Sequence, residues 1–232
     1  MEGSRPASGA DEQRYKNLGY VSGYSCAIFD CDGVILDSNP VKIAAFRAAL
    51  AGEEPERVEA FIAEHRRTGG VSRYAKLARF YRELWPVADP QAAIARALAR
   101  FAEAARAGLK HCPEVPGVRE LLSAFADRNV SVHVVSGGDQ DEVREALAAR
   151  GLAALVSGIH GSPTPKREHL ERLRSEGELL PGGVFFGDAE LDMQLAEGFG
   201  LDFVFVAGVS DWPQGRVVAR ERGHRVIENF LD

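Results

Sequence analysis

The stretch YSCAIFDCDGVILDS, residues 24–38, passes from an apolar run into two aspartates one residue apart, followed by a glycine. A short apolar run bounded by small and acidic residues reads as a buried parallel strand, because a strand covered on both faces needs no polar alternation. Asp30 and Asp32 then stand at its carboxyl end, and alternation along an extended backbone points residues i and i+2 to the same side. Gly33 permits the close turn that follows. Two carboxylates this near each other repel, so something must neutralise them.

Working outward, similar runs occur at 130–136 (VSVHVVS), 153–158 (AALVSG), 183–188 (GVFFGD) and 203–207 (FVFVA). Helical stripes lie among them, carried by Val118, Leu121, Leu122 and Phe125, by Val143 and Leu147, by Leu170 and Leu173, and by Leu191 and Leu195. Strand alternating with helix predicts βαβ units and a doubly wound, Rossmann-like α/β fold, a parallel sheet between two helical layers. One stretch breaks the alternation. From 41 to 109 every periodic segment reads as helix, with one stripe at Leu77, Phe80, Tyr81 and Leu84 and another at Ile94, Leu98, Phe101 and Ala105. Asp89-Pro90 supplies the start signal of the last of these helices. The expected organisation is therefore a polar tail over 1–20, a core from 21–40 and 110–232, and an all-helical insertion over 41–109. Residues after 208 are expected to add a helix and a final short strand or helix without chemistry.

With 45% hydrophobic residues in 232, the chain can bury a sizeable core. Its formal charge of −6 and the lack of any basic block leave no electrostatic footprint for nucleic acid or an anionic membrane. Three cysteines without C-x-x-C spacing suggest neither a disulfide framework nor a zinc site. No run of 18 apolar residues and no apolar h-region is present, so a cytoplasmic protein, monomer or homodimer, is expected.

In a doubly wound sheet, ligands bind outside the carboxyl ends of the strands. There the sequence places Asp30 and Asp32 after the first strand, Ser136-Gly137-Gly138 after the second, Lys166 beyond the third, and Gly187-Asp188 after the fourth, with Asp192 one helical turn on. Carboxylates converging on one lysine call for a divalent cation, and oxygen ligands suit Mg²⁺. Asp30 and Asp188 are the expected direct ligands, with the backbone carbonyl of Asp32, and with Asp192 acting through water. A carboxylate so held can attack phosphorus as a nucleophile, and Asp32 can exchange the proton with leaving group and water. Ser136, nearby N–H groups and Lys166 can meet the developing charge.

Asp30-Cys31-Asp32-Gly33-Val34, Ser136, Lys166 and Gly187-Asp188-x-x-x-Asp192 resemble, in order and spacing, the four motifs of haloacid dehalogenase superfamily phosphatases. The helical insertion resembles the mobile cap of that superfamily's first subfamily. The resemblance, spanning about 22–208, implies a Mg²⁺-dependent phosphatase with Asp30 as nucleophile, Asp32 as acid/base and a cap that excludes water. It disfavours dehalogenation, since dehalogenases lack the second acid. RRTGGVSR at 66–73 resembles the substrate loop of β-phosphoglucomutase-like members, so one of Arg66, Arg67 and Arg73 is expected to clamp a distal anionic or hydroxyl group, against the alternative of a solvated cap face. Gly33, Gly137 and Ser38 are further candidates for substrate contact, Ser38 also as a shaper of its loop. A mutase of that type carries a histidine shortly after the first motif. Here Lys42 stands near that place and reads as structural or exposed, which favours simple hydrolysis. The expected partner is a small phosphorylated metabolite such as a sugar phosphate or phosphoglycolate. A phosphomutase and a non-catalytic binding module are the alternatives.

Overall fold

The computed structural model describes residues 23–232, so the expectation for the tail lies outside the described residues. The opening apolar run folds as β1 (Cys26–Phe29), buried throughout. Its side chains alternate between two cores. Ala27 and Phe29 enter one, Cys26 and Ile28 the other. β1 pairs in parallel with β2 (Ser131–Asp139) on one side and β4 (Val184–Gly187) on the other. With β3 (Gly158–Ser162), β5 (Asp202–Val206) and β6 (Arg225–Ile227), the strands form a six-stranded parallel sheet in the order β3-β2-β1-β4-β5-β6. The central position of β1 sets Asp30 between the carboxyl ends of its two neighbours.

On one face, α5 (Val118–Asp127) and α6 (Gln140–Ala149) bury Val118, Leu121, Leu122, Phe125, Val143 and Leu147. α7 (Lys166–Ser175), α8 (Glu190–Phe199) and α9 (Gly215–Glu221) cover the other with Leu170, Leu173, Leu195 and Ala219. This is the three-layer Rossmann-like arrangement expected from the alternation.

Between β1 and α5 lie α1 (Asn39–Ala49), α2 (Pro55–Arg67), α3 (Arg73–Arg79), a π-helical turn over Phe80–Leu84, and α4 (Pro90–Leu109). Asp89 caps α4 by accepting from the Ala92 N–H at 3.1 Å. These helices enclose a core of their own, in which Phe46 meets Phe61 and Phe101 edge-on with ring centroids 5.1 and 4.6 Å apart. The buried face of α4 differs slightly from the stripe read in the sequence. Ala93, Ala97, Phe101 and Ala105 are buried, whereas Ile94 and Leu98 are only partly so. Alanines at these positions allow α1 to pack closely against α4.

The third strand also differs from expectation. Residues 153–155 form a 3₁₀ turn and the strand is Gly158–Ser162. Ala153, Leu155 and Val156 are apolar because they pack against the core from that turn, not because they pair in the sheet. Among the described residues, no helix is long and apolar enough to cross a membrane.

Candidate active site

Asp30 follows β1 and is 2% exposed. Its Oδ1 accepts from the Cys31 N–H at 2.7 Å and lies 2.9 Å from Lys166 Nζ. Lys166, the first residue of α7, is buried and also donates to Asp192 Oδ1 at 2.7 Å. Asp188, just past β4, is held from the other side, where Asn39 Nδ2 donates to its Oδ2 at 3.0 Å and to the Val209 carbonyl at 3.0 Å. Asp30, Asp188 and Asp192 each offer one carboxylate oxygen within 4.8 Å of the others. Gly33 has φ +79° and packs against Asp188, whose carboxylate would clash with any Cβ there.

One lysine faces three buried acids. Burial, outweighing the pull of Lys166, pushes the Asp30 carboxyl up to about 7, with Asp192 and Asp32 adding to the rise. Burial, then Asp30 and Asp192, raises Asp188 well above the carboxylate range. Burial alone would lower Lys166, but Asp192 and Asp30 prevail and hold its ammonium above the ordinary lysine range. Asp192 Oδ2 is buried with no hydrogen-bond donor. Buried polar atoms without partners are rare, and an unpaired carboxylate oxygen beside two other carboxylates fits a hard divalent cation. The cluster therefore suits an oxygen-ligated metal.

Asp32 stands apart from this cluster. Its Oδ1 accepts from Ser38 Oγ at 2.6 Å, and its Oδ2 lies 3.2 Å from Lys42 Nζ and 3.5 Å from Ser136 Oγ. Ser38 is the residue before α1, yet it makes no cap hydrogen bond because its hydroxyl is directed to Asp32. The two acids of the first motif thus have separate partners, and only Asp30 is drawn into the acid cluster.

A cleft of about 630 Å³, open to solvent, lies between the strand ends and the helical segment, and both Asp30 and Asp32 line it. The Gly70 carbonyl rests so close over Gly137 that a Cβ at Gly137 would clash with it. Gly137 therefore takes part at the cleft through its backbone.

Several sequence expectations are corrected here. Ser38 is fully buried with its hydroxyl directed to Asp32, so it shapes the Asp32 environment. Arg67 is exposed and lies outside the lining of the cleft, while its neighbour Arg66 lines it. Arg73 lines the cleft, but its guanidinium is engaged bidentately by Glu142 at 2.6 and 3.0 Å. Of the two readings given to Lys42, structural or exposed, exposure does not hold, because the residue is buried at the cleft against Asp32. Sequence reasoning also missed Asn39. A usable signal existed, because Pro40 marks a helix start directly beyond the first motif and so sets Asn39 in its first turn, beside the strand ends.

The model of haloacid dehalogenase-like hydrolases matches residues 27–206. Comparison with curated proteins returned no match. Among solved structures, a predicted phosphoglycolate phosphatase from Haemophilus somnus superposes with a TM-score of 0.72 at 18% identity, over 90% of this chain and 96% of that one. CbbY from Rhodobacter sphaeroides in complex with phosphate gives 0.68 at 19% identity over 90% and 96%. β-Phosphoglucomutase from Clostridium difficile gives 0.67 at 16% identity over 90% and 92%. At these identities the superpositions speak for the fold.

Proposed function

Because the chain belongs to the haloacid dehalogenase-like hydrolases, we propose that it hydrolyses small phosphate monoesters, with Asp30 attacking phosphorus and Asp32 moving the proton. The observation that carries this reading is the division of labour between the two acids. Asp30 lies in a buried cluster with Lys166, Asp188 and Asp192, while Asp32 lines the same cleft with Ser38 and Lys42 as its own partners.

Asp30, Asp188 and Asp192, with the Asp32 backbone carbonyl, would hold Mg²⁺, which when bound offsets the crowded negative charge and polarises the phosphoryl group. In the first step an Asp30 carboxylate oxygen bonds to phosphorus and the ester P–O bond breaks. The departing alkoxide takes its proton from Asp32. In the second step Asp32, now ionised beside Lys42, removes a proton from water, whose oxygen attacks phosphorus. Phosphate leaves and the Asp30 carboxylate is restored. Ser38 and Lys42 keep Asp32 aimed at the oxygen that changes protonation. Lys166 and the Ser136–Gly137 end of β2 serve the phosphoryl oxygens. The helical segment acts as a cap that shields the phosphorylated intermediate from bulk water. Buried free thiols at Cys26, Cys31 and Cys112 agree with a reducing cytoplasmic setting.

Incubation with Mg²⁺ and an aryl phosphate, with release of inorganic phosphate as the readout, tests the reading. Asp30→Asn should lower release by roughly 10³-fold or more. Equal release by the variant and the parent protein would end it.

A further inference from the structure

Lys76 is a buried cation that the proposed hydrolysis does not use. It stands in α3, 7% exposed, and its Nζ meets the His65 ring nitrogen Nδ1 at 2.6 Å and the His65 carbonyl at 3.2 Å. Both contacts come from one neutral residue, because burial, then Lys76, Lys42 and Arg66, hold the His65 ring pKa down at about 2. Among the described residues no carboxylate pairs with Lys76, and the charge acting on its ammonium is that of Lys42, which has the same sign. An ammonium has three N–H donors, so with two of them on His65 the third is left for a ligand. A buried charge without a counter-ion is costly, and an anion that reached it would offset much of that cost.

Lys76 lines a second cleft, of about 490 Å³ and open to solvent, within the helical segment. His65 and Val71 line both this cleft and the catalytic one, whereas Asp30, Asp32 and Asp188 line only the latter. The two clefts are therefore neighbours across a shared wall. Around Lys76 that wall offers accessible apolar surface, with Val71 39% exposed, Ala75 exposed and Leu84 half-buried. Glu64 also lines the cleft, but its carboxylate is engaged by Arg79, which in turn lies 3.4 Å from Glu83.

We propose that this second cleft binds a small aliphatic monocarboxylate, with its carboxylate on Lys76 and its alkyl chain against Val71, Ala75 and Leu84. One negative charge matches one ammonium, and a short chain matches the accessible apolar surface beside it. The site does not depend on the phosphatase reading, and it adjoins the catalytic cleft through His65 and Val71.

Butyrate is the probe, titrated into the full chain and followed by NMR chemical-shift changes. At pH 6 it should bind with a Kd of about 1 mM. 1-Butanol, which has the same chain length and no charge, should bind about tenfold more weakly or worse. Burial, with Lys42 nearby, lowers the Lys76 ammonium to about 7, so its charge is lost by pH 9 and the affinity for butyrate should fall about tenfold or more. An arginine, charged at both pH values, would hold butyrate equally well at each. Lys76→Met should abolish binding at pH 6, with thermal unfolding as the check that the variant is folded. The pH comparison is made on the parent protein, so it decides even where Lys76→Met does not fold. Absence of butyrate binding at pH 6, equal affinity at pH 6 and pH 9, equal affinity for 1-butanol, or binding that survives in folded Lys76→Met would overturn the proposal.

Discussion

Asp30 and Asp32 are two residues apart and live in different electrostatic surroundings. Asp30 shares a buried site with two further carboxylates and one lysine, and Asp32 faces a hydroxyl and a second lysine. The consequence for Asp30 is measurable, since its carboxyl is raised to about 7, first by burial. Between the ordinary aspartate range and about pH 7 the folded metal-free protein binds more protons at Asp30 than the unfolded chain does. Stability of the metal-free protein therefore falls as pH rises through that window. A bound cation offsets the charge that causes the loss. We expect Mg²⁺ to raise Tm more at pH 8 than at pH 5, and an equal rise at both would contradict the assignment of Asp30 to the metal cluster. The acids, Ser136 and Lys166 were legible at this scale because their order and spacing form a pattern. The pairing of Arg73 with Glu142 was not, since partners 69 residues apart leave no local trace.

At the scale of elements, strands ending in acids or glycines were readable, and the third was misplaced. Its neighbourhood holds two apolar stretches, and hydrophobicity alone cannot distinguish pairing in a sheet from packing against its edge. The helical segment was readable from its stripes, but a buried cation in it was not. Lys76 in α3 is 7% exposed and meets the His65 ring nitrogen at 2.6 Å and the His65 carbonyl at 3.2 Å. Burial, with Lys42 nearby, lowers its ammonium to about 7. The unfolded lysine thus keeps a proton between about pH 7 and 10.5 that the folded one has released, so stability rises with pH across that window. The cost of burial is complete below it. Lys76→Met should stabilise the protein by about 1–3 kcal/mol near pH 6 and by much less near pH 10. Thermal unfolding of both proteins at the two pH values checks this, and a gain independent of pH would show that the lysine is not carrying that burden.

Over the whole molecule, a site assembled from β1, β2, β4, α1, α7 and α8 depends on the sheet order, which sets β1 at the centre with β2 and β4 beside it. The alternation of strand and helix made this fold readable, because a parallel sheet must be wound through covering helices. How closely the helical segment approaches the core was not readable, since the contact of Gly70 with Gly137 depends on backbone proximity alone. A ligand that spans both parts should stabilise them together. Mg²⁺ with beryllium fluoride, a phosphoryl mimic, should raise Tm by several degrees beyond Mg²⁺ alone, and Asp30→Asn should abolish the increment. An increment that survives Asp30→Asn would place the mimic elsewhere.

The claim that Asp30 becomes phosphorylated is tested most directly by trapping the intermediate. Asp32→Asn should still transfer phosphoryl from 4-nitrophenyl phosphate, whose leaving group needs no proton, but should be slow to activate water. Acid quenching followed by peptide mass spectrometry is then expected to find one phosphoryl group on the peptide containing Asp30, removable by hydroxylamine. A protein that turns over substrate yet carries no label there, or carries an acid-stable label on a serine, would contradict the account.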